Sequence, residues 1–357
     1  MYHITIKNKI IKSIPLLAYL NGVKSLRKTI KIYCDINFKF SNYKNGEKDI
    51  YIDKNTINIF RKSFCKLIWT QNESSQIAFD FLDSKIREKS IKLEKDKISR
   101  NSPILICVVK DDLMRVKMSI EHYRRIGIKN FVYLDNMSKD GTKEFLENQN
   151  DVDLYECSDK YTTLRREAWI NKIIAHYGFD RWYLCVDSDE IFVYENMEQI
   201  SIEKYISHIN REKNRRIRAL LIDMYSKKPL FSNEKGVENI RERFCYFDKD
   251  SYYIKNTYKY DGIVGGPRQR ISPEKSFMLT KYPLFYFKKG DLQCCSHFQF
   301  PYKYNCDIPC STGLLHYKFL ENDLEKYIER AELGNYANGS EEYKKYVEHY
   351  KSNKIFL

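Results

Sequence analysis

A regular alternation of strand-like and helix-like segments begins at Pro103 and constrains the fold of this 357-residue chain more than any other feature. Short continuous apolar runs favour buried strands, and the segments between them have helical spacing. Alternation of this kind implies parallel strands joined by right-handed crossovers. We therefore predict an α/β fold with a mostly parallel central sheet flanked by helices. The predicted strands are 104–109, 131–134, 152–156 and 182–186, and the predicted helices begin at Asp112, Thr142 and Thr163.

Polar clusters follow three of these strands at the points where the strands end. They are Lys110-Asp111-Asp112, Asp135-Asn136 and Asp187-Ser188-Asp189. Ligands of open parallel sheets bind beyond the carboxyl ends of the strands, which all lie at one edge. A single polar group there is equally typical of a turn or a helix cap. Three such groups at one edge predict a binding site.

The segment from Trp182 to Glu190 carries the most specific chemistry of the three. An apolar run leads directly into Asp187, Asp189 and Glu190, whose carboxylates repel one another unless a cation neutralises them. Carboxylate oxygens suit Mg²⁺ or Mn²⁺. The alternative is a helix N-cap, which needs one Asp only. Three acids in four positions therefore favour a divalent metal as cofactor.

The rest of the chain divides by composition. Residues 1–82 have the pattern of mixed short strands (2–6 and 29–34) and a helix near 57–69, and predict an N-terminal accessory region. A segment dense in Lys, Glu and Arg predicts a solvated linker helix. The predicted units are 1–82 as accessory region, 83–102 as linker helix, 103–325 as the main domain and 326–357 as a C-terminal helical tail.

The net charge of +14 invites a nucleic-acid partner, but the 62 basic residues are spread along the chain among 48 acids, and no nucleic-acid-binding motif is found. We expect no nucleic-acid partner. A basic surface facing anionic lipid or an anionic nucleotide explains the excess. No run of eighteen apolar residues is found, and the short run at 14–20 contains Pro15, so neither a secretion signal nor a membrane span is predicted.

The ten cysteines are scattered, and a reducing cytoplasm is the expected location. Five potential zinc ligands nevertheless fall within a short segment. The spacing lacks the Cys-x-x-Cys pairs of structural zinc sites, so unpaired thiols are favoured over a zinc module. The five residues are Cys294, Cys295, His297, Cys306 and Cys310.

An ordered set of motifs over 103–325 resembles the family 2-like and family 92 glycosyltransferases, whose nucleotide-diphospho-sugar transferase fold is called GT-A. An isolated Asp-x-Asp is weak evidence, whereas the ordered set is specific. The motifs are Val108-Val-Lys-Asp-Asp112, His122-Tyr-Arg-Arg-Ile-Gly127, Asp135-Asn-Met-Ser-Lys-Asp-Gly-Thr142, the Asp187-x-Asp189 segment, Gly265-Gly266-x-Arg268-x-Arg270 and Leu315-His316-Tyr-Lys-Phe319.

The resemblance implies a role for each matched residue. Asp135 is expected to contact the nucleoside, and Asp187 the ribose or sugar of the donor and the metal. Asp189 is expected to hold the divalent metal at the diphosphate, with His316 completing its shell; the alternative for His316 is a buried, hydrogen-bonded histidine. Arg268 and Arg270, two residues apart on a predicted strand, are expected to clamp phosphates, or else to lie on an exposed edge strand.

The implied reaction is metal-dependent transfer of a sugar from a nucleotide-diphospho-sugar to a glycan or lipid-linked acceptor, with inversion, in surface polysaccharide or lipopolysaccharide synthesis. Inversion needs a base for the acceptor hydroxyl. We predict Asp223, at the end of a predicted strand, with Asp261 and Asp307 as competitors. The excess of basic residues would hold the enzyme peripherally at the anionic inner face of the cell membrane.

Two other classes of function remain open at this point. A haloacid-dehalogenase-like Mg²⁺ phosphatase also places Asp-x-Asp after an apolar strand, although there the motif usually opens the domain. A non-catalytic carbohydrate or nucleic-acid binder is the second alternative. The joint presence of Asp187, Asp189 and His316 argues against it.

Overall fold

The computed structural model describes residues 22–47, 49–70, 75–227, 240–256, 261–305, 310–320, 323–334 and 337–352. Within these residues, one large sheet carries helices on both faces, and the predicted α/β class is confirmed. The predicted strand at 2–6 lies outside the described residues.

Nine strands form the central sheet, in the order β1-β4-β3-β2-β5-β10-β7-β13-β6. Parallel pairing joins β4, β3, β2 and β5 on one side and β7 and β13 on the other, while β1, β10 and β6 pair antiparallel. The carboxyl ends of the six codirectional strands therefore meet at one edge. The strands are β1 Arg87–Ser90, β2 Ile104–Val109, β3 Asn130–Asp135, β4 Val152–Glu156, β5 Arg181–Cys185, β6 Glu190–Tyr194, β7 Arg216–Asp223, β8 Tyr252–Asn256, β9 Asp261–Gly265, β10 Thr280–Phe287, β11 Leu292–Cys295, β12 Phe298–Phe300 and β13 Cys310–His316, with β8–β9 and β11–β12 as separate hairpins.

The helices connect the strands and also stand at the N-terminal and C-terminal ends of the described residues. They are α1 Gly22–Ser41, α2 Lys54–Thr70, α3 Ser75–Asp83, α4 Leu113–Arg125, α5 Thr142–Glu147, α6 Thr163–Tyr177, α7 Ile202–Ser207, α8 Ile240–Arg243, α9 Arg268–Ile271, α10 Asp323–Leu333 and α11 Ala337–Lys351. The strands and helices predicted between 104 and 186 are confirmed, as are the helix at 57–69 and the strand ending at Asp223.

Alternating side chains of the central strands belong to two apolar cores, one on each face of the sheet. In β2, Ile104 and Ile106 enter the core beneath α1–α3 and α6, whereas Leu105 and Cys107 enter the core beneath α4. This is the period-two pattern of a strand buried on both faces. The continuous apolar runs in the sequence arise because both faces are covered.

Two predictions about the N-terminal third are wrong. Residues 29–34 belong to α1 rather than to a strand: Thr29, Ile36 and Phe40 are buried at helical spacing, and a six-residue window is too short to separate the two periods. Residues 83–102 do not form a linker helix. Arg87–Ser90 pair antiparallel with β4 as an edge strand whose charged side chains face solvent, so pairing overrides the helix preference.

Two boundaries near the C-terminal end also differ from the predictions. Arg268 and Arg270 lie on the short helix α9 rather than on a strand. The predicted boundary between 325 and 326 falls inside α10. No helix in the described ranges is long and apolar enough to cross a membrane.

Candidate functional site

A cleft of about 710 Å³ lies at the edge where the codirectional strands end. Its wall includes the polar residues that follow β2 and β5, the last residue of β13 and residues of α10 and α11. Two of the three polar clusters predicted from sequence thus meet at one cleft, with Asn136 from the third.

Asp187, just after β5, is neutralised by two cations. Arg166 Nη2 lies 2.5 Å from its Oδ1, and Lys281 Nζ lies 3.2 Å from its Oδ2. Arg166 stands in the first turns of α6, and Lys281 stands near the start of β10, antiparallel to β5. Burial raises the pKa of Asp187, but Arg166 and Lys281 outweigh it and hold the pKa below its usual value.

Glu190 opens β6 and is engaged at both oxygens. Lys281 donates to Oε1, and the backbone N–H of Asp187 donates to Oε2 at 3.1 Å. Because Lys281 bridges Asp187 and Glu190, these two acids are held together by the protein's own cation. Glu190 is 1% exposed.

Asp189 and His316 face each other because of strand register. In the sheet, His316 at the end of β13 stands opposite Glu190 of β6 and opposite Asp223 of β7. The backbone N–H of Tyr317 donates to the Asp189 carbonyl at 2.8 Å, and Asp189 Oδ2 lies 3.3 Å from His316 Nε2. Asp189 and His316, which are 127 positions apart in the sequence, thus form one pair of potential metal ligands.

Asp223 orients His316 from the side away from Asp189. Its Oδ1 lies 2.6 Å from His316 Nδ1, and its Oδ2 accepts a bond from Arg268 Nε at 2.8 Å. Burial raises the pKa of Asp223, but Arg268 and His316 outweigh it and lower the pKa to about 2. Burial lowers the pKa of His316, but Asp189 and Asp223 outweigh it and raise the pKa above its usual value.

A glycine pair allows Arg268 to reach Asp223. Gly265 has φ of +119°, and a Cβ there would lie 2.1 Å from the carbonyl oxygen of Ser251. Gly266, with φ of +77°, lies against Asp223 and Leu279, where its Cβ would be 3.4 Å from either side chain. Only glycine fits this turn without displacing backbone.

The donor set fits a divalent metal. Asp189, Glu190 and His316 each offer one ligand atom, and these atoms lie within 4.8 Å of one another. Carboxylate oxygen and imidazole nitrogen suit Mn²⁺, and a site that provides few protein ligands leaves positions for water and phosphate oxygens. Asp187, predicted as a metal ligand, is not part of this group, and both its oxygens accept from Arg166 and Lys281. Glu190 is likewise engaged at both oxygens, so Asp189 and His316 are the two best-placed ligands.

The C-terminal helices complete the cleft wall. Arg115 of α4 donates to Asp323 of α10, and its Nε donates to the Tyr317 carbonyl at 2.8 Å. Lys326 Nζ lies 3.0 Å from Asp112, and Arg268 Nη1 lies 3.3 Å from Glu342 of α11. The segment predicted as a tail is therefore part of the site.

The remaining predicted site residues lie in different surroundings. Asp135 is fully buried; its Oδ2 accepts the Ser138 N–H at 2.9 Å, while its Oδ1 has no hydrogen-bond partner among the described residues. Burial raises its pKa. Arg270 pairs with Asp248 at 2.5 Å, apart from Asp223, so the two arginines serve different carboxylates. Asp307, and the side chain of Asp261, lie outside the described residues.

The five potential zinc ligands, for which unpaired thiols are the favoured interpretation, do not converge where the structure describes them. Cys294 is buried, Cys310 is exposed, and His297 Nδ1 lies 2.9 Å from the Thr280 carbonyl. Of the described residues, none of these belongs to a group that could hold a metal. Cys306 lies outside the described residues.

Sequence reasoning missed Arg166 and Lys281 as partners of the acidic cluster, and it assigned no separate role to Glu190 within that cluster. A signal existed for Arg166, because the first turn of a helix that follows a parallel strand lies at the carboxyl edge of the sheet. No local signal marks Lys281, since its place depends on the antiparallel insertion of β10 between β5 and β7.

The chain matches no known protein-family model and no curated protein. Among solved structures it is similar to the mannosyltransferase PcManGT from Pyrobaculum calidifontis, whose structure contains GDP-Man and Mn²⁺. The identity is 10% and the TM-score 0.33, over 78% of this chain and 73% of that chain.

Proposed function

We propose that this protein is a metal-dependent glycosyltransferase that moves a sugar from a nucleotide-diphospho-sugar to a glycan or lipid-linked acceptor. The observation that carries the proposal is the meeting of Asp189 and His316, 3.3 Å apart, at the edge of a parallel sheet in a cleft lined by basic side chains. A donor with two phosphates needs this combination of a metal site and surrounding positive charge.

In this proposal, Asp189 and His316 hold the divalent metal, Mn²⁺ or Mg²⁺. When bound, such a cation stabilises the charge that develops on the departing nucleoside diphosphate. Asp187 is kept ionised by Arg166 and Lys281 and faces the ribose or sugar. Asp135 precedes Asn136, which lies on the cleft wall. The buried Oδ1 of Asp135 is proposed to accept a hydrogen bond from an N–H or O–H group of the nucleoside.

Arg268 lines the cleft and is the proposed contact for phosphate or acceptor, whereas Arg270 stays with Asp248. Asp223 is the proposed general base for the acceptor hydroxyl if the reaction inverts the anomeric centre. Both Asp223 oxygens are engaged, by His316 and Arg268, and its side chain is 1% exposed. Through these contacts Asp223 also orients His316, and the substitution Asp223→Asn distinguishes this role from general-base catalysis.

The setting in surface polysaccharide or lipopolysaccharide synthesis, and peripheral contact with an anionic membrane, belong to the same proposal. They are supported only by the excess of basic residues, +14 in net charge. Anionic vesicles in low salt should bind the protein and release it in moderate salt. Vesicle sedimentation without any salt-sensitive binding would remove the membrane from the proposal.

A phosphatase of the haloacid-dehalogenase type fits the site less well. Its nucleophile would be Asp187, whose two oxygens both accept from cations. The motif also follows β5, the fourth parallel strand along the chain, rather than opening the domain.

The test is a thermal-shift panel of nucleotide sugars in the presence of Mn²⁺. One donor should raise the melting temperature, because a ligand that binds only the folded state stabilises it. The shift should disappear in Asp189→Asn, while Asp250→Asn, an exposed acid away from the cleft, should behave like the wild type. No shift with any nucleotide sugar, together with release of phosphate from simple phosphoesters, would contradict the proposal.

A further inference from the structure

Lys318 lies beside the metal group, which consists of Asp189, Glu190 and His316, but is not one of its potential ligands. It follows His316 by two residues and lines the cleft with its side chain half-buried. No carboxylate among the described residues lies within salt-bridge distance of its Nζ, in contrast to Arg115, Arg166, Arg268 and Lys281. A half-buried ammonium group without a close carboxylate is costly unless an anion arrives.

An aromatic ring of α11 holds Lys318 in place. Lys318 Nζ lies 5.2 Å from the ring centroid of Tyr343 and donates to its hydroxyl at 3.4 Å. Arg330 of α10 uses the same ring: its guanidinium carbon lies 5.3 Å from the centroid, and its Nη1 donates to the hydroxyl at 3.2 Å. One tyrosine thus gathers two cations, each stabilised by the ring face.

The two cations repel each other, so their pairing favours an anion between or above them. A lysine side chain is ordinarily charged at neutral pH, and the ring face and hydroxyl of Tyr343 favour the charged form of Lys318. Asp189 and Lys318 therefore present opposite charges across the same part of the cleft. A ligand that suits both Asp189 and Lys318 is an anion that can also coordinate the metal ion held by Asp189, as a diphosphate does.

We propose that Lys318, which contacts the ring of Tyr343 together with Arg330, binds the diphosphate of the donor and stabilises the negative charge of the leaving group. This inference rests on the proposed function. In the transfer, the bond between the anomeric carbon and the β-phosphate oxygen breaks, and its electron pair stays on that oxygen. The acceptor oxygen bonds to the anomeric carbon and gives its proton to the base. Lys318 then donates a charge-assisted hydrogen bond to the phosphate.

The test is calorimetric titration with inorganic pyrophosphate in the presence of Mn²⁺. Lys318→Met should weaken pyrophosphate binding about tenfold or more, the effect of one charge-assisted hydrogen bond. Lys318→Arg should retain most of the affinity. Titration with Mn²⁺ alone should give the wild-type affinity in Lys318→Met, since Lys318 is not a metal ligand.

Two further variants keep the test decisive. Lys345→Met removes a partly exposed lysine of α11 whose one ion pair within the described ranges is with Glu348 at 3.7 Å, and should leave pyrophosphate affinity unchanged. Tyr343→Phe keeps the ring but removes the hydroxyl, and should weaken pyrophosphate binding several-fold even if Lys318→Met fails to fold.

The possible failures separate the two proposals. Wild-type affinity for pyrophosphate in both Lys318→Met and Tyr343→Phe would overturn the role of Lys318 and leave the proposed function intact. A wild-type protein that binds neither pyrophosphate nor any nucleotide sugar with Mn²⁺ would overturn both.

Discussion

Two helical regions flank the sheet, and they differ in what they contribute. The N-terminal helices α1–α3 pack through an apolar core in which Phe60 touches the rings of Phe64, Phe81 and Phe179. None of their described side chains lines the cleft. The C-terminal helices α10 and α11 pack through tyrosines and also supply Asp323, Lys326, Arg330, Glu342 and Tyr343 to the cleft wall.

The comparison shows that a helical segment outside the alternating strands and helices of the main domain is not necessarily an accessory region. Apolar contacts of α1–α3 cover one face of the sheet and stabilise it without shaping the site. Ion pairs of α10 and α11 reach Asp112 and Arg115, which follow β2, and Arg268, which follows β9, and so tie the stability of these helices to the geometry of the cleft. Substitutions in the two regions should therefore separate stability from ligand binding.

The largest effect is expected for Arg115→Met, at the joint between α4 and α10. Arg115 Nη1 donates to Asp323 at 3.0 Å, and Nη2 donates to the Lys318 carbonyl at 3.0 Å. Loss of Arg115 leaves the buried Asp323 carboxylate without its cation and leaves the Lys318 carbonyl with the Tyr327 hydroxyl as its remaining donor. The free energy of unfolding should fall by about 3–5 kcal/mol in urea titrations. Pyrophosphate binding should weaken as well. Tighter binding or unchanged stability would show that α10 is not coupled to the cleft.

Phe60→Ala is the matched change in the N-terminal helices. Removal of a ring that is 1% exposed should lower the free energy of unfolding by about 3 kcal/mol. Below the unfolding transition, pyrophosphate affinity should stay within twofold of the wild type. A loss of affinity in the folded protein would end the contrast between the two regions.

Asp223→Asn tests the link between β7 and the metal group. If Asp223 orients His316, calorimetry should show Mn²⁺ affinity reduced by about tenfold to a hundredfold, the usual effect of losing a carboxylate partner of a ligating histidine. Asp248→Asn, which alters the carboxylate that pairs with Arg270, is the control. Loss of sugar transfer with unchanged Mn²⁺ affinity would instead identify Asp223 as a general base.

The smallest effect is expected for Lys39→Ala. Its Nζ lies 3.2 Å from Asp83, and both side chains are exposed, so the pair joins α1 to α3 only weakly. The free energy of unfolding should change by less than about 0.5 kcal/mol. A change as large as that of Phe60→Ala would mean that charge, not apolar packing, holds the N-terminal helices.

Much of the sheet could be predicted because its signals are local. The apolar runs at 104–109 and 182–186 and the helix at 163–177 are continuous in the sequence. Asp189 and His316 could be singled out from the motifs that surround them. Their contact depends on the register of β13 against β6, which no local pattern determines.

The remaining residues of the site depend on tertiary contacts between distant segments. Lys281 reaches the acids because β10 is inserted antiparallel next to β5. Lys318 was visible within a motif, but its pairing with Arg330 requires the ring of Tyr343 from another helix. The edge strand β1 forms because β4 offers it a partner, which its charged composition does not reveal.

The most direct measurement is an anomalous difference map at the manganese absorption edge, from crystals soaked in Mn²⁺ and pyrophosphate. A peak between the Asp189 carboxylate and His316 Nε2, with the pyrophosphate between it and Lys318, is the expected result. A map with manganese bound elsewhere, and none beside Asp189 and His316, would contradict a metal-dependent transfer at this cleft.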